Sequence, residues 1–387
     1  MKHRYDRDTC LLCAPASVQN YILDRYRLTD GFKSEYIDHM LHTPENENVV
    51  MQALSAIDKY LGTSGASLST HDGMAGDMIY ARYVLGFYYN EYFAYGLGHL
   101  STERRLGFIP EMRRTVYTSV LNPSAQENNK LSQKPVFAGL AREFFKRDSV
   151  SVKANADFER FRMFALRHPK FFAKPCWGSL GQGAHIVDTT GFSNRQLRLM
   201  FNRLKSVKHG TFCEELIASD SRMAAFHPAS VNTMRIVTYL GLDGKARIIG
   251  GCIRTGMGGA VVDNTAAGGL YAAVDPANGL IHTDAVDKVG RGYTTHPETG
   301  FVFKGFQTPE WDGLVDVVSR CAELFSRVRL IGWDLALSAT RGWQMIEGNC
   351  VAHFTSTQAC TKRGMRDEFE QAIEWDLNRK SAQTAKT

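Results

Sequence analysis

No stretch of this 387-residue chain approaches the roughly eighteen consecutive apolar residues of a membrane-spanning helix, so a helical membrane protein is not expected. The start, Met1-Lys2-His3-Arg4-Tyr5-Asp6-Arg7-Asp8, is too charged to open a secretory signal, which points to a soluble, cytoplasmic protein. Cysteine is sparse and scattered, at positions 10, 13, 176, 213, 252, 321, 350 and 360. Several lie in apolar segments, which suits reduced core thiols better than a disulfide framework. Cys10-Leu11-Leu12-Cys13 lacks the second cysteine pair of a zinc site and the βαβ setting of a redox motif. Charge of one sign is also scarce: the net +6 is mild for this length and spread out, with no basic run interleaved with aromatics. Nucleic acid is therefore not an expected partner, whereas a mild attraction for anionic small molecules is. Neither a P-loop, nor the dinucleotide glycine pattern, nor an internal repeat is present.

What is present is the makeup of a globular protein, 44% hydrophobic and 22% charged, long enough for two or three domains. Residues 1–130 read as a mainly helical region, with helical periodicity at Val18 to Tyr26, Val49 to Leu61 and Met78 to Tyr89. The Gly/Ser-rich stretch 62–70 reads as a loop, and the aromatic run from Phe87 to Tyr95 as core. From about residue 150 short strands alternate with helices. The spacing predicts helices over Phe158–Leu166 and Ser193–Lys205, and strands at Lys170–Lys174, His185–Asp188 and Thr211–Leu216. Longer strands follow at Met234–Gly241 and Ala246–Arg254 around an Asp243-Gly244 turn, then an amphipathic helix within Glu310–Val328. A polar helix from about Met365 and a solvated tail end the chain. The expected divisions are 1–130, 131–212, 213–362 and 363–387.

The chemistry concentrates near the C-terminus. Asp334 in Ile331-Gly332-Trp333-Asp334, then Glu347 and Asn349 in Met345-Ile346-Glu347-Gly348-Asn349, stand on two apolar strands joined by the turn 338–342. Alone, such a pair of acids can equally be solvated hairpin charges. Their place inside apolar strands favours a metal, because buried carboxylates are rare unless paired or ligating. Two carboxylates and an amide oxygen suit Mg²⁺ that takes further ligands from water and substrate phosphate. Upstream, Lys174 ends a strand and Gly178-Ser179-Leu180-Gly181-Gln182-Gly183 follows, either a plain hairpin turn or a backbone cradle for phosphate.

Lys174 with its glycine loop, Glu214-Glu215-Leu216-Ile217, Arg235, Arg254, Asp334, Glu347 and Asn349 occur in this order along the chain. Taken together they resemble the ATP-grasp superfamily. The stretches His227 to Arg235, Gly258 to Leu270, Ile331 to Asp334 and Glu347 to Asn349, with Asn128-Asn129-Lys130-Leu131 and Tyr92-Phe93, look more specifically like the sugar-transfer-associated ATP-grasp family. The resemblance runs from about residue 85 to 360.

It implies an α+β fold of two subdomains gripping ATP, after a mainly helical N-terminal region. It also implies that Lys130 and Lys174 contact ATP phosphates, with Gly178, Ser179, Gly181 and Gly183 in a lid loop. Glu214 would meet the adenine amino group, the backbone of Glu215 and Ile217 the ring edge, and Asp220 the ribose. Asp334, Glu347 and Asn349 would hold two Mg²⁺ ions, while Arg235 and Arg254 face the transferred phosphoryl group or the acyl phosphate. Asn264, Gly268 and Gly269 would shape the acceptor side. Many relatives follow the Asn with a small residue, Pro and Gly; here Cys350-Val351-Ala352-His353-Phe354 stands instead, and His353 either touches the acceptor or packs. The implied activity is an ATP-dependent carboxylate–amine ligase. It would form an amide through an acyl phosphate, on a sugar-linked or amino-acid substrate in polysaccharide or secondary-metabolite biosynthesis. A kinase acting on a small-molecule hydroxyl and a non-catalytic nucleotide-binding protein are the competing readings.

Overall fold

The computed structural model describes residues 30–112, 114, 118, 121–178, 183–259, 268–367 and 369. Its contacts divide the chain into two units. One holds the residues before Leu121 with Lys288–Gly292 and those from His353 onward; the other holds Leu121–Asp287 and Tyr293–Ala352.

The first unit is helical: α1 (Asp30–His42), α2 (Glu47–Leu61), α3 (Leu68–Tyr80), α4 (Tyr89–Tyr95) and α5 (Thr102–Leu106). The helix expected over Met78–Tyr89 is broken. A wide π turn at Ala81–Leu85 ends at Gly86, whose φ of 90° halts the helical path before α4 begins. The loop expected over 62–70 is shorter, since α3 already starts at Leu68. The aromatic run is largely core, with Phe87, Tyr92 and Tyr95 buried and Tyr88 exposed. The segment Val18 to Tyr26 and the Cys10/Cys13 pair lie outside the described residues. The division at 362/363 does not follow the contacts. Buried Gln358, in the short helix Thr355–Thr361, accepts from the Ile109 amide at 2.8 Å and donates to the Ile109 carbonyl at 2.9 Å. That pair of bonds ties the chain after 353 to the N-terminal helices.

The second unit opens with α6 (Ala125–Ser132), α7 (Lys134–Leu140) and α8 (Arg142–Phe145), and carries two antiparallel sheets. The smaller has the order β1-β4-β2-β3, from Ser149–Val152, Thr211–Glu215, Lys170–Pro175 and His185–Asp188. It is covered by α9 (Phe158–Arg167) and α10 (Asn194–Lys205). Asp157 caps α9, and a reciprocal Ser193–Gln196 box caps α10. Because β4 belongs to this sheet, a boundary at 212/213 would cut a strand. Phe161 has no exposure and meets Phe171 and Phe201 at ring distances of 6.1 and 5.6 Å. Phe161→Ala should cost about 3–5 kcal/mol, read as a lower urea midpoint at constant slope.

The larger sheet runs β11-β10-β5-β6-β7-β8 and ends in the two-residue β9 (Gly292–Tyr293). Its strands are β5 (Thr233–Leu240), β6 (Ala246–Thr255), β7 (Leu270–Ala273), β8 (Ala285–Val286), β10 (Leu330–Ser338) and β11 (Gly342–Asn349). The Asp243-Gly244 turn joins β5 to β6, with Gly244 at φ 75° where a side chain would be strained. α11 (Ser221–Ala224) precedes β5, and α12 (Trp311–Leu324) buries Leu314, Val317, Val318 and Cys321 in the same core as Trp333 and Met345. Every residue of β10 is buried, which accounts for its continuous apolar run. Among the described residues no helix is long and apolar enough to cross a membrane.

Candidate nucleotide and metal site

Strand pairing assembles the candidate metal end. β10 and β11 pair so that Asp334 faces Glu347 and Gly332 faces Asn349, with a bulge just after Asp334. On the other edge of β10, Asp334 faces Arg235 of β5, and Arg254 stands opposite Thr233 on β6. Arg235, Asp334 and Glu347 are thus neighbours across three strands. Asp334 is buried, receives two bonds from Arg235, one of them 2.8 Å from Nη2, and has Arg254 Nη2 at 3.2 Å. Burial by itself would raise its carboxyl pKa. The charges of Arg235 and Arg254 outweigh that and hold it below the usual carboxylate range.

Glu347 stands opposite Asp334 across the β10–β11 pair. Two carboxyl groups facing each other, Asp334 buried and Glu347 half-buried, repel unless a proton or a cation lies between them. Asn349 adds a neutral donor: its Nδ2 donates to the Gly332 carbonyl at 3.3 Å and stands 3.5 Å from Glu347 Oε1, leaving the amide oxygen to ligate. Among the described residues no group of three or more His, Cys, Asp or Glu could hold a metal. The donor set here is therefore two carboxylates and an amide, all hard oxygen. It fits a Mg²⁺ whose other ligands are water and phosphate.

The second cluster lies where β2 runs into the glycine turn before β3. Gly178 and Gly183 have φ of 123° and 73°, and a Cβ at Gly183 would stand 3.2 Å from Pro175 Cγ. Ser179, Gly181 and Asn264 lie outside the described residues; Gly268, at φ 96°, and Gly269 lead into β7. Buried Lys174 places Nζ 2.6 Å from Glu214 Oε1, and buried Arg147 places Nη2 3.0 Å from Glu214 Oε2. Burial opposes the charge on Glu214, but Lys174 and Arg147 prevail and keep its pKa low.

Lys134, at the start of α7, joins the same cluster. Its amide donates to the Cys176 carbonyl at 3.2 Å and its Nζ to the Gly178 carbonyl at 2.6 Å. Burial lowers its pKa; the charge of Glu347 opposes that shift and the charge of Lys174 adds to it. Lys134, Lys174, Arg147, Arg235 and Arg254 set five cations against the carboxylates of Glu214, Asp334 and Glu347. The surplus favours a polyanion.

Several of the residues expected to meet the nucleotide make contacts within the protein instead. Lys130 is ion-paired to Glu127 at 2.8 Å, one turn away on its own helix, and the lysine that reaches the glycine turn is Lys134. Both oxygens of Glu214 are engaged by cations, Lys174 and Arg147. The Glu215 amide is spent on the Asp148 carbonyl at 2.9 Å and its carboxylate on Arg341 at 2.8 Å, which leaves only its carbonyl for a ring edge. Ile217 lies in the irregular segment just after β4, half-buried. Asp220 caps α11 and is bonded through both oxygens to Arg222, so it is not a free ribose acid. His353 belongs to the helical unit, 3.2 Å from Glu111 Oε1. Arg147 and Lys134 went unread in the sequence; a basic residue directly before a short strand and another opening a helix look like ordinary surface charges.

The family described as sugar-transfer associated ATP-grasp matches residues 112–374, about two thirds of the chain. The chain belongs to that family. None of the curated proteins matches this ATP-grasp chain. Among solved structures it is similar to the ATP-grasp ligase PsnB complexed with a minimal precursor, Mg and ADP. The identity is 14%, with 68% of each chain covered and a TM-score of 0.40. It is also similar to the D-alanine-D-alanine ligase from Coxiella burnetii, at 11% identity over 68% of this chain and 63% of that one, TM-score 0.36. A third is an L-amino acid ligase from Bacillus licheniformis, at 12% identity over 59% and 42%, TM-score 0.35. Likenesses this distant add nothing to what the family match shows.

Proposed function

We propose that this chain is an ATP-dependent carboxylate–amine ligase whose nucleotide lies between the Lys134–Lys174 cluster and the Asp334–Glu347 hairpin. The observation that carries the reading is the cross-strand pairing of Asp334 with Glu347, next to a surplus of cations. Asp334, Glu347 and Asn349 would hold the magnesium, which when bound neutralises charge on the phosphoryl oxygens.

Lys174 and Lys134 supply ammonium donors to the phosphates, and Glu214 with Arg147 keeps Lys174 extended toward them. Arg254 and Arg235 balance the charge that grows as a substrate carboxylate oxygen attacks the γ-phosphorus and the bond to the ADP oxygen breaks. An amine nitrogen then attacks the acyl carbon, the acyl C–O bond breaks, phosphate leaves and the amine loses a proton. The glycine-rich sequence between β2 and β3 would let backbone approach the phosphates closely and exclude water from the acyl phosphate. The family's association with sugar transfer supports a sugar-linked substrate.

The test is incubation with ATP, Mg²⁺, pooled sugar acids and amino acids, and hydroxylamine. A hydroxamate formed in step with ADP and free phosphate is expected. A phosphorylated alcohol without free phosphate would replace the ligase reading by a kinase, and nucleotide binding without turnover would replace it by a binding protein.

A further inference from the structure

We infer that the helical unit carries a second ligand site, built for the carboxylate of a small amphipathic molecule. A cavity of about 600 Å³ opens there, within the size range of small-molecule sites. Asp77 of α3, Arg105 of α5, Tyr92 of α4 and Lys33 of α1 form its polar end, and Ile37, Leu61, Met74 and Phe93 give it apolar walls.

The polar end has an excess of donors. The Arg105 side chain is 2% exposed and grips Asp77 with Nη1 at 2.9 Å and Nη2 at 2.7 Å, while Nε donates to the Leu100 carbonyl at 3.0 Å. Tyr92 adds its hydroxyl to Asp77 at 2.7 Å and Lys33 its ammonium at 2.5 Å. Asp77 is thereby saturated. A guanidinium has five N–H groups and an ammonium three, so these bonds leave N–H groups on Arg105 and Lys33 without an acceptor among the described residues. Each Arg105 nitrogen already has one acceptor, and a ligand carboxylate would take up the remaining N–H groups of Nη1 and Nη2.

Charge sets the class of ligand. Lys33 and Arg105 face one carboxylate, and Asp77 stays ionised because its bonds to Arg105, Lys33 and Tyr92 overcome the effect of burial. The single positive charge left over matches a monoanion. A phosphate monoester, close to doubly charged, would be overmatched. The apolar walls call for a hydrocarbon body behind the carboxylate. The site lies outside residues 112–374, in the part of the chain that the family match does not reach, and does not depend on the ligase reading.

The probes are octanoate and 4-phenylbutanoate, titrated calorimetrically into the full chain without nucleotide, with octan-1-ol, octylamine and octyl phosphate as comparisons. Saturable binding of one molecule of carboxylate is expected, with the alcohol and amine weaker by roughly tenfold or more. Lys33→Met should weaken the carboxylate roughly tenfold and bring it level with the alcohol, and Met74→Trp, which fills the cavity, should abolish binding. Arg105 is left intact because its loss would unpair Asp77 and risk the fold. Equal binding of alcohol and carboxylate, tighter binding of the amine or the phosphate, binding unchanged in both variants, or no saturable binding of either carboxylate would each overturn the inference.

Discussion

Glu347→Gln is expected to lower ATP turnover on the order of 10³-fold while leaving the melting temperature nearly unchanged, because metal charge stabilisation accounts for several kcal/mol of barrier. The substitution keeps shape and hydrogen bonding and removes one of two carboxyl groups that crowd each other at the hairpin. Stability should hold or rise slightly, since a like-charge contact is relieved. Asp334→Asn gives the contrasting result. It also takes charge from the ion pairs with Arg235 and Arg254, so activity and stability should fall together. Thermal melts and ADP release on the same preparations separate the two. Full turnover in Glu347→Gln would sink the magnesium assignment.

The hairpin was legible because its signals are local. Two apolar strands, a small-residue turn and ligands at set intervals place Asp334 opposite Glu347 by pairing alone. The Ser193 cap, the Asp243-Gly244 turn and the one-sided α12 were readable for the same reason: each depends on residues within a turn or two. The region around Lys174 was only half legible. Its lysine and glycines were read, but the partners that place them come from distant segments, Arg147 before β1 and Lys134 opening α7. Nothing in Lys134's neighbours in sequence separates it from Lys130; a packing event assigns one to the glycine turn and the other to Glu127. For Asp220 the resemblance implied a ribose contact, but Asp is also a favoured helix cap, and in the structure its carboxylate caps α11 and bonds Arg222.

The Glu214 cluster yields the second large effect, on folding rather than turnover. Glu214→Ala should cost about 3–5 kcal/mol, because it leaves the buried ammonium of Lys174 and the guanidinium of Arg147 without their shared counter-ion. Glu214→Gln should fall between the two, keeping shape and acceptor but not charge. The same geometry fixes the sign of the pH dependence. Its folded-state pKa lies below the ordinary glutamate value, so the stabilisation is fully present above the unfolded value of about 4.3 and fades as pH falls through the folded value. Urea midpoints measured from neutral pH down into the acid range should therefore drop in the wild type. They should drop less in Glu214→Gln, where that carboxyl has been removed. Parallel profiles for the two proteins would mean that Glu214 is not the charge that holds Lys174, and that another group carries the ammonium toward the nucleotide.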